Sequence, residues 1–312
     1  MTDFVATAAI DGVVSALDEA RIPVTDRGFL YGDSIYEVFR TYRGVPLYFD
    51  EHWQRFENSA RLIHLALNDA RDALTADIGS AIAASGAAEA GIDVYVRYIV
   101  TRGEGPIDLL PQQGLPIRRV VIVKRVPQWN PVHYTVGASL AIVATRRNPH
   151  EALDPNIKGG NYLNNVLGVI EADMLGADDC LMLSEAGLIT EASNSNVFFV
   201  IDGSLVTPSQ KAANLRGLTK AAIHSACAAA GIATSEVELA PDDAMRATEC
   251  FLSSATREVM PVASILGPSG ERHSFPPGGG EVTRRVAGLY RAAVDDYVAS
   301  HAHLSLFGKT KS

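Results

Sequence analysis

Four short segments of this 312-residue chain carry residue types that could serve one kind of chemistry. In Asn156-Ile-Lys-Gly-Gly-Asn-Tyr-Leu-Asn-Asn165, Lys158 stands before two glycines at the mouth of a helix. A lysine that attacks a carbonyl carbon to form a Schiff base must be partly desolvated, so that some free amine exists at neutral pH. Its glycine neighbours would let a flat ring approach the backbone. Taken alone, the segment reads more simply as a solvated lysine on a turn.

Glu191-Ala-Ser-Asn-Ser-Asn196 places a carboxylate between an apolar strand and a small polar turn. There Glu191 could pair with a protonated ring nitrogen and make the ring an electron sink; a turn that caps itself through Ser193 and Asn194 is the plainer alternative. Asn214-Leu-Arg-Gly-Leu-Thr-Lys220 opens another helix. The free N–H groups of such an N-terminus suit a phosphate, with the Thr219 hydroxyl beside them, although ordinary capping accounts for the same residues. Arg55 departs from the apolar stripe of its own helix and is either an exposed arginine or a phosphate fork.

The elements that must position these residues are legible as periodicities. Two strand-like segments flank a turn near the start. Residues 35–42 mix aromatic and β-branched side chains, Arg43-Gly44 turns, and 46–49 resumes extended structure, a hairpin pattern. Asp50 reads as the N-cap of a helix marked by Trp53, Phe56, Ala60 and Ile63. A second helix is expected over 70–84, with strands over 94–100 and 119–123. Beyond the Pro127–Pro131 stretch, strands are expected over 139–144, 179–183, 197–201 and 251–253. Helices are expected over 163–175, 218–230 and 282–300. Residues 301–312 read as a loose tail, or as one that docks on a partner subunit.

Composition sets the outer limits. Hydrophobic residues are 47% and charged residues 20%, the balance of a soluble globular chain long enough for two domains. A net charge of −9 argues against a nucleic-acid partner, although a few arginines in one pocket can still receive an anion. The three cysteines show no metal or redox spacing, so a reducing, cytoplasmic setting and no metal are expected. The first residues lack the basic start of a secretory signal, and no stretch is long and apolar enough for a membrane span.

Together, Arg55, Lys158-Gly-Gly-Asn-Tyr162, Glu191-Ala-Ser-Asn-Ser-Asn196 and Leu215-Arg-Gly-Leu-Thr219 resemble the fold-type IV pyridoxal 5'-phosphate enzymes, most of all the branched-chain aminotransferases. Tyr31-Gly-Asp-Ser-Ile-Tyr-Glu37 extends the likeness, which runs from about residue 11 to about 266. It implies an α+β chain with a small N-terminal domain over 1–126, a linker over 127–135 and a cofactor domain with a β-barrel-like core over 136–312. By that likeness Lys158 holds the cofactor covalently and shuttles the substrate Cα proton to its C4′. Glu191 holds the pyridine nitrogen protonated, and Tyr162 lies beside the ring. Arg55 and the backbone N–H groups of Leu218 and Thr219 grip the phosphate, with Asn196, Leu215 and Gly217 in the same cofactor shell.

Two departures stand out. Ala255, in Phe251-Leu-Ser-Ser-Ala-Thr-Arg257, falls where many relatives carry a threonine, leaving Ser254 or Thr256 to supply a phosphate hydroxyl. The step from Lys158 to Tyr162 is also one residue shorter than in typical branched-chain enzymes. For the substrate, Tyr95 and Arg97 resemble the strand that receives the carboxylate, unless they merely share a strand face. Tyr31 and Tyr36 form the opposite wall, with Ala255 and Thr256 nearby. The likeness implies a homodimer or higher homo-oligomer. It also implies ping-pong transfer between apolar L-amino acids and 2-oxoglutarate. Transfer from D-amino acids or (R)-amines, and carbon–carbon lysis of the aminodeoxychorismate type, are the alternatives. Thr101-Arg-Gly lacks the later Arg and His that D-amino acid enzymes present.

Overall fold

In the computed structural model, which describes residues 3–307, the chain forms two compact units. The first comprises residues up to Pro127, together with Ile157–Asn161 and the stretch from Asp296 onward; the second holds the rest.

The first unit contains β1 (Thr7–Ile10), β2 (Val13–Ala16), α1 (Arg27–Tyr31), β3 (Ser34–Tyr42), β4 (Val45–Pro46), α2 (Phe49–Leu62), α3 (Ala70–Ala84), α4 (Ala87–Ala90), β5 (Val94–Thr101) and β6 (Arg118–Arg125). Among the described residues its strands form one antiparallel sheet in the order β2-β1-β6-β5-β3-β4. Alternation along β5 sends Val94, Val96, Tyr98 and Val100 into a core shared with Phe39 of β3, Trp53 and Phe56 of α2, and Leu74 and Ile78 of α3. Tyr95, Arg97 and Ile99 take the other, half-buried face.

The second unit contains α5 (Val132–Thr135), β7 (Ala138–Arg146), α6 (Leu163–Met174), β8 (Asp179–Leu183), β9 (Ile189–Ala192), β10 (Asn196–Ile201), β11 (Ser204–Pro208), α7 (Leu218–Ala229), β12 (Thr234–Val237), α8 (Pro241–Met245), β13 (Glu249–Ser254), β14 (Glu258–Leu266), β15 (Arg272–Ser274) and most of α9 (Glu281–Ser300). Among the described residues its strands run β12-β11-β10-β13-β14-β7-β8-β9, with β15 on β14. β9, at one end of that path, also packs on β10 and β11 near the other, so the sheet curls into a half-barrel. The core includes Leu140, Leu181, Ile189, Val197, Leu252 and Val262.

Several expectations change. The extended run over 46–49 stops early because Tyr48 takes a left-handed φ of 53°; α2 begins at Phe49, and Asp50 lies in its first turn instead of capping it. Most of the segment read as a linker over 127–135 belongs to the second unit, where Trp129 joins the core and α5 packs on β7 and β14. Residues 157–161 and 296–307 return to the first unit instead of continuing the C-terminal domain. The tail docks as far as Phe307: Leu306 N–H donates to Gly44 O at 2.9 Å, and Leu306 and Phe307 pack on the first core. The rest of the tail, 308–312, lies outside the described residues, as do the first two residues of the N-terminus.

Candidate active site

In the first unit the Lys158 segment lies along the start of β3. Tyr36 N–H donates to Lys158 O at 2.8 Å, Gly160 N–H donates to Ser34 O at 3.1 Å, and Lys158 N–H donates to Ser59 Oγ at 3.1 Å. The two glycines permit this approach. A Cβ on Gly159 would stand 3.0 Å from Ser34 O, and one on Gly160 would stand 2.5 Å from Ser34 Oγ. Their small size therefore serves the approach of this segment to the start of β3.

So anchored, Lys158 is half-buried, with Nζ 3.4 Å from Tyr36 Oη and 4.5 Å from the centre of the Tyr36 ring. The Arg97 guanidinium lies 3.8 Å from the same ring. Antiparallel register sets Arg97 opposite Val38 and Ile99 opposite Tyr36, which makes this sheet face partly apolar. Tyr95 is on the face too, with Lys124 Nζ 4.9 Å from its ring. Tyr31 has other company: Arg27 lies over its ring, and it lines a cavity of about 470 Å³ with Asp33, His64 and Arg102. Arg102 is committed there, donating to Asp33 Oδ2 and to the carbonyls of Ile63 and His64.

Beneath this face Arg55 grips Glu37 through Nε at 2.6 Å and Nη2 at 2.7 Å, and His52 Nδ1 is 2.6 Å from the same carboxylate. Burial would raise the Glu37 carboxyl, but Arg55 and His52 outweigh it and hold the group far below the usual carboxylate range. Burial pushes His52 below its ordinary value despite the pull of Glu37. Any phosphate contact by Arg55 is made with Glu37 already on its Nε–Nη2 edge.

The second unit gathers the other segments. Glu191, buried at the end of β9, receives Arg147 Nε on Oε1 at 3.1 Å and the Leu215 N–H on Oε2 at 3.2 Å. Asn196 Nδ2 donates to Leu215 O at 3.1 Å, which fixes the chain just before α7. The cap of α7 is Gly217, without a side chain to occupy the first-turn N–H groups of Leu218 and Thr219. A Cβ on Gly217 would come within 1.9 Å of Asn196 Oδ1, so a larger residue there would displace the Asn196 side chain. Ser254, Ala255 and Thr256 form the turn from β13 to β14; Ser254 Oγ accepts Arg257 N–H at 3.3 Å, and Thr256 O accepts Trp129 Nε1–H at 3.1 Å. Tyr162, half-buried, caps α6.

Residues 34–265 match the model of the family described as amino-transferase class IV. This chain is a class IV aminotransferase. A protein of Methanocaldococcus jannaschii, provisionally assigned as a branched-chain-amino-acid aminotransferase, is 30% identical to it over 80% of this chain and 84% of that one. A D-alanine aminotransferase of Listeria innocua is also 30% identical, over 80% and 84%. The T.th. branched-chain amino acid aminotransferase, complexed with N-(5'-phosphopyridoxyl)-L-glutamate, superimposes with a TM-score of 0.82 at 25% identity, covering 97% of this chain and 98% of that one.

The cofactor of this aminotransferase is pyridoxal 5'-phosphate, and the donor set suits it. The first unit offers a half-buried primary amine. The second offers a buried carboxylate and a helix start with no side-chain cap. Arg147 is a partner of Glu191 that sequence reasoning missed; its signal is the Arg146-Arg147-Asn148 run at the end of β7. Among the described residues no cluster could hold a metal ion, and no helix is long and apolar enough to cross a membrane.

Proposed function

We propose that this aminotransferase moves an amino group between apolar, branched-chain-like L-amino acids and 2-oxoglutarate by a ping-pong mechanism. The observation that carries the reading is Arg97 stacked on Tyr36 beside Val38 and Ile99, with Lys158 on the same ring. A guanidinium next to an apolar surface suits an amino acid with a carboxylate and a hydrocarbon side chain. Bound pyridoxal phosphate supplies the electron sink that makes the substrate Cα–H acidic.

The chain's own residues do the rest. Lys158 Nζ would hold the cofactor and would be the base that takes the proton from the substrate Cα and the acid that gives it back. Glu191, oriented by Arg147, accepts the N–H of the pyridine ring. The N–H groups of Leu218 and Thr219, with Arg55 and a hydroxyl from Ser254 or Thr256, take the phosphate. Tyr162 flanks the ring, Tyr95 and Arg97 receive the substrate carboxylate, and Tyr36 and Ala255 border the side chain. Two ligands of the T.th. enzyme, N-(5'-phosphopyridoxyl)-L-glutamate and 4-methylvaleric acid, support a glutamate-type partner and a branched side chain.

The same reading makes the enzyme a homodimer in a reducing, cytoplasmic setting. Leu163, Val166, Leu167, Ile170 and Met174 form an exposed apolar stripe on α6 that a second copy would cover. The three cysteines are buried and unpaired. Steady-state assays with L-leucine, D-alanine and (R)-1-phenylethylamine test the substrate. Turnover of L-leucine is expected, and turnover of D-alanine alone would overturn the reading. The D-alanine aminotransferases among the relatives make that second outcome the specific alternative.

A further inference from the structure

The second unit contains a buried ion pair that the chemistry above does not use. Arg257 Nη2 lies 2.7 Å from Asp179 Oδ2, and both side chains are more than nine-tenths buried. Arg257 closes the Ser254–Thr256 turn, just before β14, and Asp179 opens β8. These strands are not neighbours: β7 lies between them and runs parallel to both. Through β7 the register sets Asp179 level with Ile265, at the far end of β14 from Arg257, so no strand ladder joins the two residues. The ion pair links them directly.

Each end is tied to a turn already assigned to the cofactor. Asp179 Oδ1 accepts the N–H of Ser193 at 3.2 Å, two residues beyond Glu191, and the N–H of Cys180 at 2.8 Å. Asn165 Nδ2 holds Ser193 O at 2.7 Å. On the other side the Arg257 guanidinium lies 4.3 Å from the centre of the Trp129 ring. Trp129 Nε1–H donates to Thr256 O, and Tyr134 Oη donates to Arg257 O at 3.1 Å. A desolvated ion pair adds little stability over an apolar pair of the same volume, so stability alone does not account for it. What it does supply is a fixed distance between two turns.

We propose that Asp179 and Arg257 are positioning residues that hold the Glu191 turn and the Ser254–Thr256 turn in one register, so that ring nitrogen and phosphate are met together. The inference rests on the cofactor roles proposed for Glu191 and for the Ser254–Thr256 turn.

The test uses purified holoenzyme carrying Asp179→Asn, Arg257→Met, both together, Arg257→Lys, or Glu191→Gln. The readouts are the dissociation constant for pyridoxal phosphate, the pH midpoint of the bound cofactor's visible absorbance, and the melting temperature without cofactor. Each single change at the pair is expected to weaken cofactor binding on the order of tenfold, a usual size for coupling within one ion-pair network. Each is also expected to move the pH midpoint. The double variant should be no worse than either single, and Arg257→Lys should recover part of the loss. The milder Asp179→Asn and Arg257→Lys keep the test decisive if Arg257→Met does not fold. If Glu191→Gln moves the pH midpoint while the pair variants change only the melting temperature, the pair merely braces the fold and the inference is overturned. If Glu191→Gln moves neither binding nor midpoint, the cofactor role of Glu191 fails and the inference fails with it.

Discussion

Replacing Glu37 with glutamine is the sharpest perturbation of the first unit. The Glu37 side chain is fully buried, and Arg55 and His52 both converge on it, Arg55 being only 12% exposed. Glutamine keeps the shape but leaves the Arg55 charge without a counter-charge. Breaking a buried pair from one side in this way costs about 3–5 kcal/mol. Removing both charges, in Glu37→Gln with Arg55→Met, leaves no buried charge and is expected to cost less than Glu37→Gln alone. Urea unfolding can follow this in a Trp129→Phe background, where the remaining tryptophan, Trp53, packs on Phe56 and Tyr98 and reports on the first unit. The pH dependence has a definite sign. Both Glu37 and His52 titrate lower in the folded chain than their ordinary 4.5 and 6.5, so the unfolded chain binds more protons. The His52 contribution is present above pH 6.5 and is lost as pH falls through the folded value; the Glu37 contribution is lost in the same sense below pH 4.5. Glu37→Gln removes the group that draws the His52 value upward, so sensitivity just below pH 6.5 should persist. A loss under 1 kcal/mol, or additive costs in the double variant, would refute the account.

Three further outcomes follow from the same geometry. Lys158→Ala should abolish turnover and the visible absorbance of covalently held cofactor; turnover that survives would remove Lys158 from the mechanism. Gly217→Ala would drive a Cβ into Asn196, which holds Leu215 O. Cofactor affinity should then fall on the order of tenfold, about one buried hydrogen bond left unmade, with unchanged dialysis retention as the contrary result. Glu249 accepts the N–H groups of Val282 and Thr283 at the start of α9, at 3.1 and 2.7 Å, so Glu249→Ala should cost about 1–2 kcal/mol in thermal unfolding. An unchanged melting temperature would show that α9 needs no such cap.

Legibility in the sequence followed the range of the forces involved. The three- and four-residue spacing of Trp53, Phe56 and Ala60 marks α2, and α3 occupies the expected 70–84, because amphipathic periodicity is local. β14 escaped because Pro261 sits mid-strand, opposite Phe251, where a proline argues against a strand. Tyr48 was missed as the hinge into α2 because its left-handed φ has no sequence signal in a tyrosine. The site divides in the same way. Lys158, Glu191 and Gly217 stand in distinctive local strings, whereas Arg147 lies 44 positions from Glu191, and Arg257 and Asp179 belong to strands that are not neighbours in the sheet. Pairings made by strand order leave no mark on the linear chain.

The pairings have a common form. Glu37 is held by Arg55, Asp33 by Arg27 and Arg102, Glu191 by Arg147, and Asp179 by Arg257. In a chain of net charge −9, acidic groups in and around the proposed site are thus matched by guanidinium groups at hydrogen-bond distance. Such pairs gain little against apolar packing, yet a guanidinium at this distance limits the directions a carboxylate can take, most of all in the two-point contact of Arg55 with Glu37. Glu191 shows the consequence: Arg147 on one oxygen and the Leu215 N–H near the other fix the plane of its carboxylate. Preorganisation of that kind is where an ion pair outperforms a hydrophobic one. It also makes single and double variants diverge, since a lone survivor keeps its charge and loses its direction.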